Sequence, residues 1–155
     1  MGKIINQDWV KQIQNRVNTS PIFQLQQMSI SKIGWGTSLL EINLGPQHLQ
    51  THGSVHGGVF ATLLDATGFW AVYSQAPANR GMSTIELSIN YHASAMSGKL
   101  FGTGECIKIG KTLGVGQALI KNETGLLLAS GKITVMLLKD AGPLEKKMPK
   151  ISKFF

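Results

Sequence analysis

The chain has 155 residues, 43% of them hydrophobic and 15% charged, and its 15 Lys and Arg against 8 Asp and Glu give a formal net charge of +7. This length and apolar content read as one folded domain, residues 1–155, and exclude a disordered or fibrous chain. Cys106 is the only cysteine, which excludes an intramolecular disulfide and a thiolate metal cluster, and the opening run Met1-Gly2-Lys3-Ile4-Ile5-Asn6 lacks the apolar core of a signal peptide, so a cytoplasmic location is expected.

Trp9, Ile13 and Val17 lie four apart with Val10 beside them. That spacing predicts a short amphipathic helix over residues 8–17, within an N-terminal segment 1–20 and ending before Pro21. Residues 28–44 read as two strands turned at Gly34-Trp35-Gly36. In the second, Leu40, Ile42 and Leu44 alternate with Glu41 and Asn43. Gly45-Pro46 closes the hairpin and begins a loop that runs to His56-Gly57-Gly58.

Residues 53–73 organise the chain. They have the length of a helix, and from Val59 onward that helix is apolar on nearly every side. Such a helix belongs inside a structure or inside a bilayer. A membrane span takes roughly 20 predominantly apolar residues, and this run is shorter and interrupted, so a buried core helix is expected. Between Glu41 and Arg80 the only formally charged residue is Asp65, midway along it. A buried unpaired carboxylate is costly and has a raised pKa; it serves either a structural hydrogen bond or catalysis. Gly68 costs a helix interior about 1 kcal/mol relative to Ala, which marks close approach by a ligand or a partner helix.

After a loop at 77–81, Ile85, Leu87, Ile89 and Tyr91 alternate with Thr84, Glu86, Ser88, Asn90 and His92 in a clear strand. Ser83 shares parity with the apolar face, so it is expected to look inward, towards the helix carrying Asp65. Three more strands follow at 100–109, 113–121 and 126–138, separated by turn residues, and the last is apolar enough to lie in the interior of a sheet. The tail, 140–155, carries Pro149 and most of a lysine cluster (Lys139, Lys146, Lys147, Lys150, Lys153). It is expected to be extended or loosely docked, with Phe154-Phe155 either packing locally or disordered rather than touching a membrane. The fold class that accounts for this order is α+β, a single antiparallel sheet wrapped around one long apolar helix.

Gly53-x-x-His56-Gly57-Gly58-x-x-x-x-x-x-Asp65, followed by Gly81-x-Ser83 at the next strand, resembles the hotdog-fold acyl-CoA thioesterases of the PaaI-like (phenylacetate-degradation) type. The likeness spans residues 28–138. It implies a hotdog fold and hydrolysis of an acyl-CoA thioester, with no metal and no cofactor beyond the coenzyme A of the substrate. It assigns the Gly57 amide to polarising the thioester carbonyl, and Asp65 to activating water or attacking directly. A hydroxyl at Ser83 would hold the water. Gln50 stands where this family usually has Asn and some other hotdog thioesterases have Gln; its implied contact is with the carbonyl or the water.

The residues support that chemistry independently. An amide in the first turn of a helix lacks an intrahelical partner and sits at the positive end of the dipole. It can stabilise the oxyanion of acyl transfer, and glycine lets a substrate approach the backbone. Eight residues at 1.5 Å rise put Asp65 roughly 12 Å along the axis from Gly57. One thioester cannot meet both on the same helix, whereas an antiparallel second copy would bring each Asp65 opposite the other's Gly57. A homodimer with two composite sites is expected, and the family resemblance implies pairing into a dimer of dimers.

His48, His52 and His56 fall four apart, but Pro46, Gly53 and Gly57 oppose a helix there and no carboxylate joins them. His56 is read as fixing the glycine turn, with a general-base role as the alternative. Gly58, Thr62, Phe69 and Trp70 are candidates for lining the acyl pocket. Arg80, Lys108 and Lys111 are candidates for the coenzyme A phosphates. Cys106 reads as a small buried hydrophobe. The charge lacks the aromatic-studded basic pattern of nucleic-acid binding. A non-catalytic acyl-CoA-binding domain and a hotdog hydratase or dehydratase are the two rival readings. The former would be expected to lack the acid, and the latter pairs a His with an acid in a different motif.

Overall fold

The computed structural model describes residues 2–148 and 150–155, so Met1 and Pro149 lie outside the described residues. Helix α1 (Gln7–Val17) forms over the expected segment. Asn6 caps it by accepting the Asp8 amide, and Trp9, Val10, Ile13 and Val17 are its buried stripe. A second short helix, α2 (Pro21–Leu25), follows where only a stop was expected. Pro21 opens it at its first turn, where no amide is needed, and Phe23 anchors it.

Strands β1 (Met28–Gly34) and β2 (Thr37–Asn43) form the first hairpin, and a single 3-10 turn at Pro46–His48 starts the loop. Helix α3 (Gly57–Gln75) is followed by β3 (Met82–Tyr91), β4 (Lys99–Ile109), β5 (Leu113–Asn122), β6 (Leu127–Leu137) and a short helix α4 (Pro143–Lys147). The strands make one six-stranded sheet in the order β1-β2-β4-β5-β6-β3, and every neighbouring pair is antiparallel. As its apolar composition required, β6 is interior, flanked by β5 and β3, with Leu128, Ala129, Ile133 and Val135 fully enclosed.

The sheet wraps α3 closely because glycines line its inner face. A Cβ on Gly104 would sit 2.5 Å from the Thr67 carbonyl oxygen, and one on Gly116 would sit 2.9 Å from that of Gly68. The reason for Gly68 itself differs from the expectation. A Cβ there would meet Ile133 Cγ1 of the chain's own sheet at 2.9 Å, so it is the sheet that approaches closely at this point.

The tail is docked rather than loose. Ile5 bridges Phe154, the Asn6 amide donates to the Lys153 carbonyl at 3.0 Å, and Phe154 packs edge-on to Trp35 with ring centroids 5.2 Å apart. Lys153 is only 2% exposed. Its ammonium donates to the Tyr73 carbonyl and, at 2.8 Å, to the Ala76 carbonyl, capping the end of α3. The rings of Tyr73, Trp9 and Phe154 surround it at 4.5, 5.0 and 5.4 Å. Helix C-termini leave orphan carbonyls and a negative dipole end, and this lysine answers both. The sequence marks Lys153 only as one of the tail's lysine cluster, because what it caps is distant in sequence.

Candidate active site

The loop before α3 is tied down by its own polar groups. His48 is fully buried, accepts the Gly45 amide on Nδ1 at 2.9 Å and bonds the Gln26 carbonyl through Nε2 at 2.7 Å. Both ring nitrogens are thus engaged by backbone. The His56 amide donates to the His48 carbonyl at 2.9 Å and the Val55 amide to that of Ala95 at 2.8 Å. Gln50 is held as well: its Nε2 donates to Ser54 Oγ at 2.7 Å, and its Oε1 accepts the His52 amide at 2.6 Å.

His56 is the N-cap of α3, and its Nδ1 accepts the Gly58 amide at 2.8 Å. That is the glycine-fixing bond expected from the sequence. An acceptor Nδ1 places the proton of the neutral ring on Nε2. The amide of Gly57, one residue earlier, donates to no group among the described residues. Gly57 lines a cleft of about 500 Å³ together with Val55, His56, Gly58, Phe60, Tyr91, Ala93 and Ser94.

Asp65 sits roughly 12 Å further along the helix axis. It is half-buried, and Thr84 Oγ1 donates to its Oδ1 at 2.9 Å. Burial pushes its carboxyl above the ordinary carboxylate value, against the Thr84 hydrogen bond, which lowers it. Gly58, Thr62, Asp65 and Phe69 follow one another at three- and four-residue steps, with Ala66 beside Asp65. They form a stripe of α3 that stays partly open while Leu63, Leu64 and Thr67 are enclosed by the sheet. Beside that stripe runs β3, an edge strand with Ile85 54%, Leu87 37% and Tyr91 53% exposed.

The expectation for Ser83 is corrected here. Thr84 pairs with Val135 and Glu86 with Thr134, so Ile85 is an extra residue in a bulge. Parity therefore reverses between the two halves of β3. Ser83 lies opposite the exposed Met136 on the outer face, and Thr84 lies opposite the buried Val135 on the inner one. The hydroxyl that reaches Asp65 is that of Thr84. Alternation cannot reveal a bulge, and the adjacent hydroxyl pair Ser83-Thr84 was the one trace of it in the sequence. Tyr91, on the expected inner face, reaches the site too: its hydroxyl donates to the Gly57 carbonyl at 3.0 Å.

Three phosphate-binding candidates do not converge on the cleft. Arg80 spends its guanidinium on the carbonyls of Leu138, Lys111 and Leu137 at 2.6, 2.7 and 2.9 Å. It clamps backbone and offers no free fork. Lys108 and Lys111 are exposed at the β4–β5 hairpin, the end of the sheet where Gly114 packs on Val72, well beyond Asp65 from Gly57. Phe69 stacks on Tyr73 with ring centroids 5.9 Å apart, and Thr62 donates to the Gly58 carbonyl at 2.8 Å, so both are held along the open stripe. Cys106 is half-buried, and burial raises its thiol pKa despite a backbone hydrogen bond. Among the described residues no helix is long and apolar enough to cross a membrane.

Comparison with known proteins gives the geometry a family. Residues 52–129 match the family model described as Thioesterase superfamily. Mouse acyl-coenzyme A thioesterase 13 is 32% identical over 98 residues, covering 62% of this chain and 69% of that protein. The 1,4-dihydroxy-2-naphthoyl-CoA hydrolase of Listeria monocytogenes is 25% identical over 112 residues, covering 72% of this chain and 91% of its own. Among solved structures, a thioesterase from Haemophilus influenzae superposes with a TM-score of 0.75 at 20% identity, over 80% of this chain and 87% of that one. Zebrafish thioesterase superfamily member 2 superposes with a TM-score of 0.72 at 25% identity, over 82% and 94%. The chain belongs to the thioesterase superfamily, and its antiparallel sheet around one long helix is that family's hotdog fold.

Proposed function

We propose that this protein hydrolyses an acyl-CoA thioester to a free acid and coenzyme A, at two composite sites formed by a homodimer. One observation supports it above the rest: Asp65, the only charged group on α3, lies on the helix's open stripe with its pKa raised, roughly 12 Å from the Gly57 amide, which has no acceptor among the described residues. A second copy laid antiparallel against that stripe and the bare β3 edge covers both and pairs each acid with the other chain's amide.

In this reading Asp65 acts as general base. Thr84 occupies Oδ1 and leaves Oδ2 for a water, whose proton passes to the carboxylate as its oxygen attacks the thioester carbon. The carbonyl oxygen becomes an oxyanion held by the Gly57 amide at the positive end of α3. Collapse breaks the C–S bond and releases the coenzyme A thiolate, which takes up a proton. Direct attack by Asp65 is the variant of this mechanism that isotope labelling distinguishes. Gln50 keeps a second Nε2–H, beyond the one given to Ser54, for the carbonyl or the water. His56 serves by holding the glycine turn, and Gly58, Thr62 and Phe69 line the acyl side. The homodimer pairs further into a dimer of dimers and works in the cytoplasm, with no metal, no added cofactor and no nucleic-acid partner.

The test is thiol release from a panel of aromatic, branched and medium-chain acyl-CoA thioesters, for wild type and Asp65→Asn. Release by wild type and loss in the variant support the reading. Tight acyl-CoA binding without thiol release would replace it with a non-catalytic binding domain, and hydration of an enoyl thioester would replace it with a hydratase.

A further inference from the structure

Two side chains of β3 hydrogen-bond to α3: Thr84 to Asp65, and Tyr91 to Gly57. Residues 84 and 91 are seven apart, so in a regular strand they would face opposite sides. The extra residue Ile85 restores them to one face, with Thr84 opposite Val135 and Tyr91 opposite Ala129. The bulge therefore sets the acid and the glycine amide from a single strand.

The Tyr91 contact needs explanation because the tyrosine is half-exposed and its bond rescues no orphan group. By the helical pattern the Gly57 carbonyl already accepts an amide four residues on, so the tyrosine takes its second lone pair. The ring lies flat enough on the backbone that a Cβ at Gly57 would come within 3.1–3.3 Å of its Oη, Cζ and Cε1. Phe60 flanks it, with ring centroids 6.1 Å apart. On the other side of the same peptide, the Gly58 amide donates to His56 Nδ1. The peptide joining Gly57 and Gly58 is thus gripped at its oxygen by Tyr91 and at its nitrogen by His56.

We propose that Tyr91 is a positioning residue for thioester hydrolysis, fixing the Gly57 backbone so that its free amide keeps one direction into the cleft. Two consecutive glycines give a substrate close access but leave the backbone torsions loosely determined. The hydroxyl of Tyr91 supplies that definition from the wall of the same cleft. This rests on the thioesterase reading above.

The experiment compares wild type with Tyr91→Phe, which keeps the ring and removes the hydroxyl. With an acyl-CoA that wild type turns over, the expected result is kcat lower by about 5- to 20-fold, less than the full loss of an oxyanion donor. KM stays within twofold and the acid limb of the pH–rate profile does not move. Thr84→Val shifts that limb upward, which separates the two contacts of the strand. In protein labelled with [15N]glycine, the Gly57 and Gly58 amide resonances move in Tyr91→Phe while those of Gly102 and Gly104 stay in place. A kcat within about 1.5-fold of wild type, or unmoved Gly57 and Gly58 resonances, overturns the inference. If wild type releases no thiol at all, the functional reading fails, and the resonance shift still decides whether Tyr91 holds the glycine turn.

Discussion

Thr84 Oγ1 lies 2.9 Å from Asp65 Oδ1, donating to the one acid of the central helix across the gap between helix and edge strand. The bond stabilises the charged carboxylate, yet burial outweighs it and holds the Asp65 pKa above its ordinary value. The protonated form is therefore favoured in the folded state relative to the unfolded chain. That contribution to stability is present at low pH and is lost as pH rises through the folded pKa.

Asp65→Asn is accordingly expected to abolish turnover by about 10²–10⁴-fold, the usual range for a general base. It should also raise the melting temperature at neutral pH, because a buried charge is removed. Steady-state kinetics and a thermal melt check both. Wild-type-like turnover would take Asp65 out of the mechanism.

The pH–rate profile should rise with pH through the Asp65 pKa, at a value above that of a free aspartate. In Thr84→Val the limb moves further up, since the lost hydrogen bond favoured the charged form. Ser83→Ala leaves the limb where it was, because Ser83 points to the outer face. A shift in Ser83→Ala of the size seen in Thr84→Val would contradict the inward placement of Thr84.

A single turnover in 18O-labelled water separates the two roles open to Asp65. General-base catalysis puts the label directly into the product acid. Direct attack forms a mixed anhydride; when water opens it at the aspartyl carbon, the label enters Asp65 and the first product leaves with the unlabelled aspartyl oxygen. Mass spectrometry of product and of the Asp65 peptide reads the difference.

Complementation tests the composite site. Asp65→Asn and Gly57→Val are each expected to be inactive as homodimers. In a mixed dimer one site holds both lesions and the other holds none, so refolding them together should restore roughly a quarter of wild-type activity. Mixing that restores nothing, with mixed dimers demonstrated, would place both groups in sites that do not cross the interface.

Lys153 offers a stability test remote from the chemistry. Burial pulls its pKa down to about 7, against a smaller opposing pull from Glu145. Between there and the ordinary lysine value the unfolded chain binds the extra proton, so stability rises with pH across that window. Lys153→Met should flatten that rise. It also strands the Ala76 carbonyl, while that of Tyr73 keeps the Ala76 amide, at a cost of about 1–3 kcal/mol, or roughly 3–10 °C in a melt at pH 9. Unchanged melting at every pH would mean that the lysine caps nothing in solution.

Much of this protein follows from local pattern. The amphipathic spacing of Trp9, Ile13 and Val17, the alternation in β2 and the all-round apolarity of residues 59–73 each report burial that neighbouring residues share, so they are readable in order along the chain. Asp65 is conspicuous for the same reason, as one charge in a long uncharged stretch, and the glycines before it mark the helix start. What only the tertiary structure decided are relations between distant segments. The bulge at Ile85 exchanged Ser83 for Thr84, because which residue becomes the extra one depends on the pairing of β3 with β6. Arg80 turned from a candidate phosphate ligand into a backbone clamp, and Lys153 from one of a tail's lysine cluster into a helix cap, because their acceptors are carbonyls. Every residue carries a carbonyl, so a sequence says nothing about which of them folding leaves without a partner.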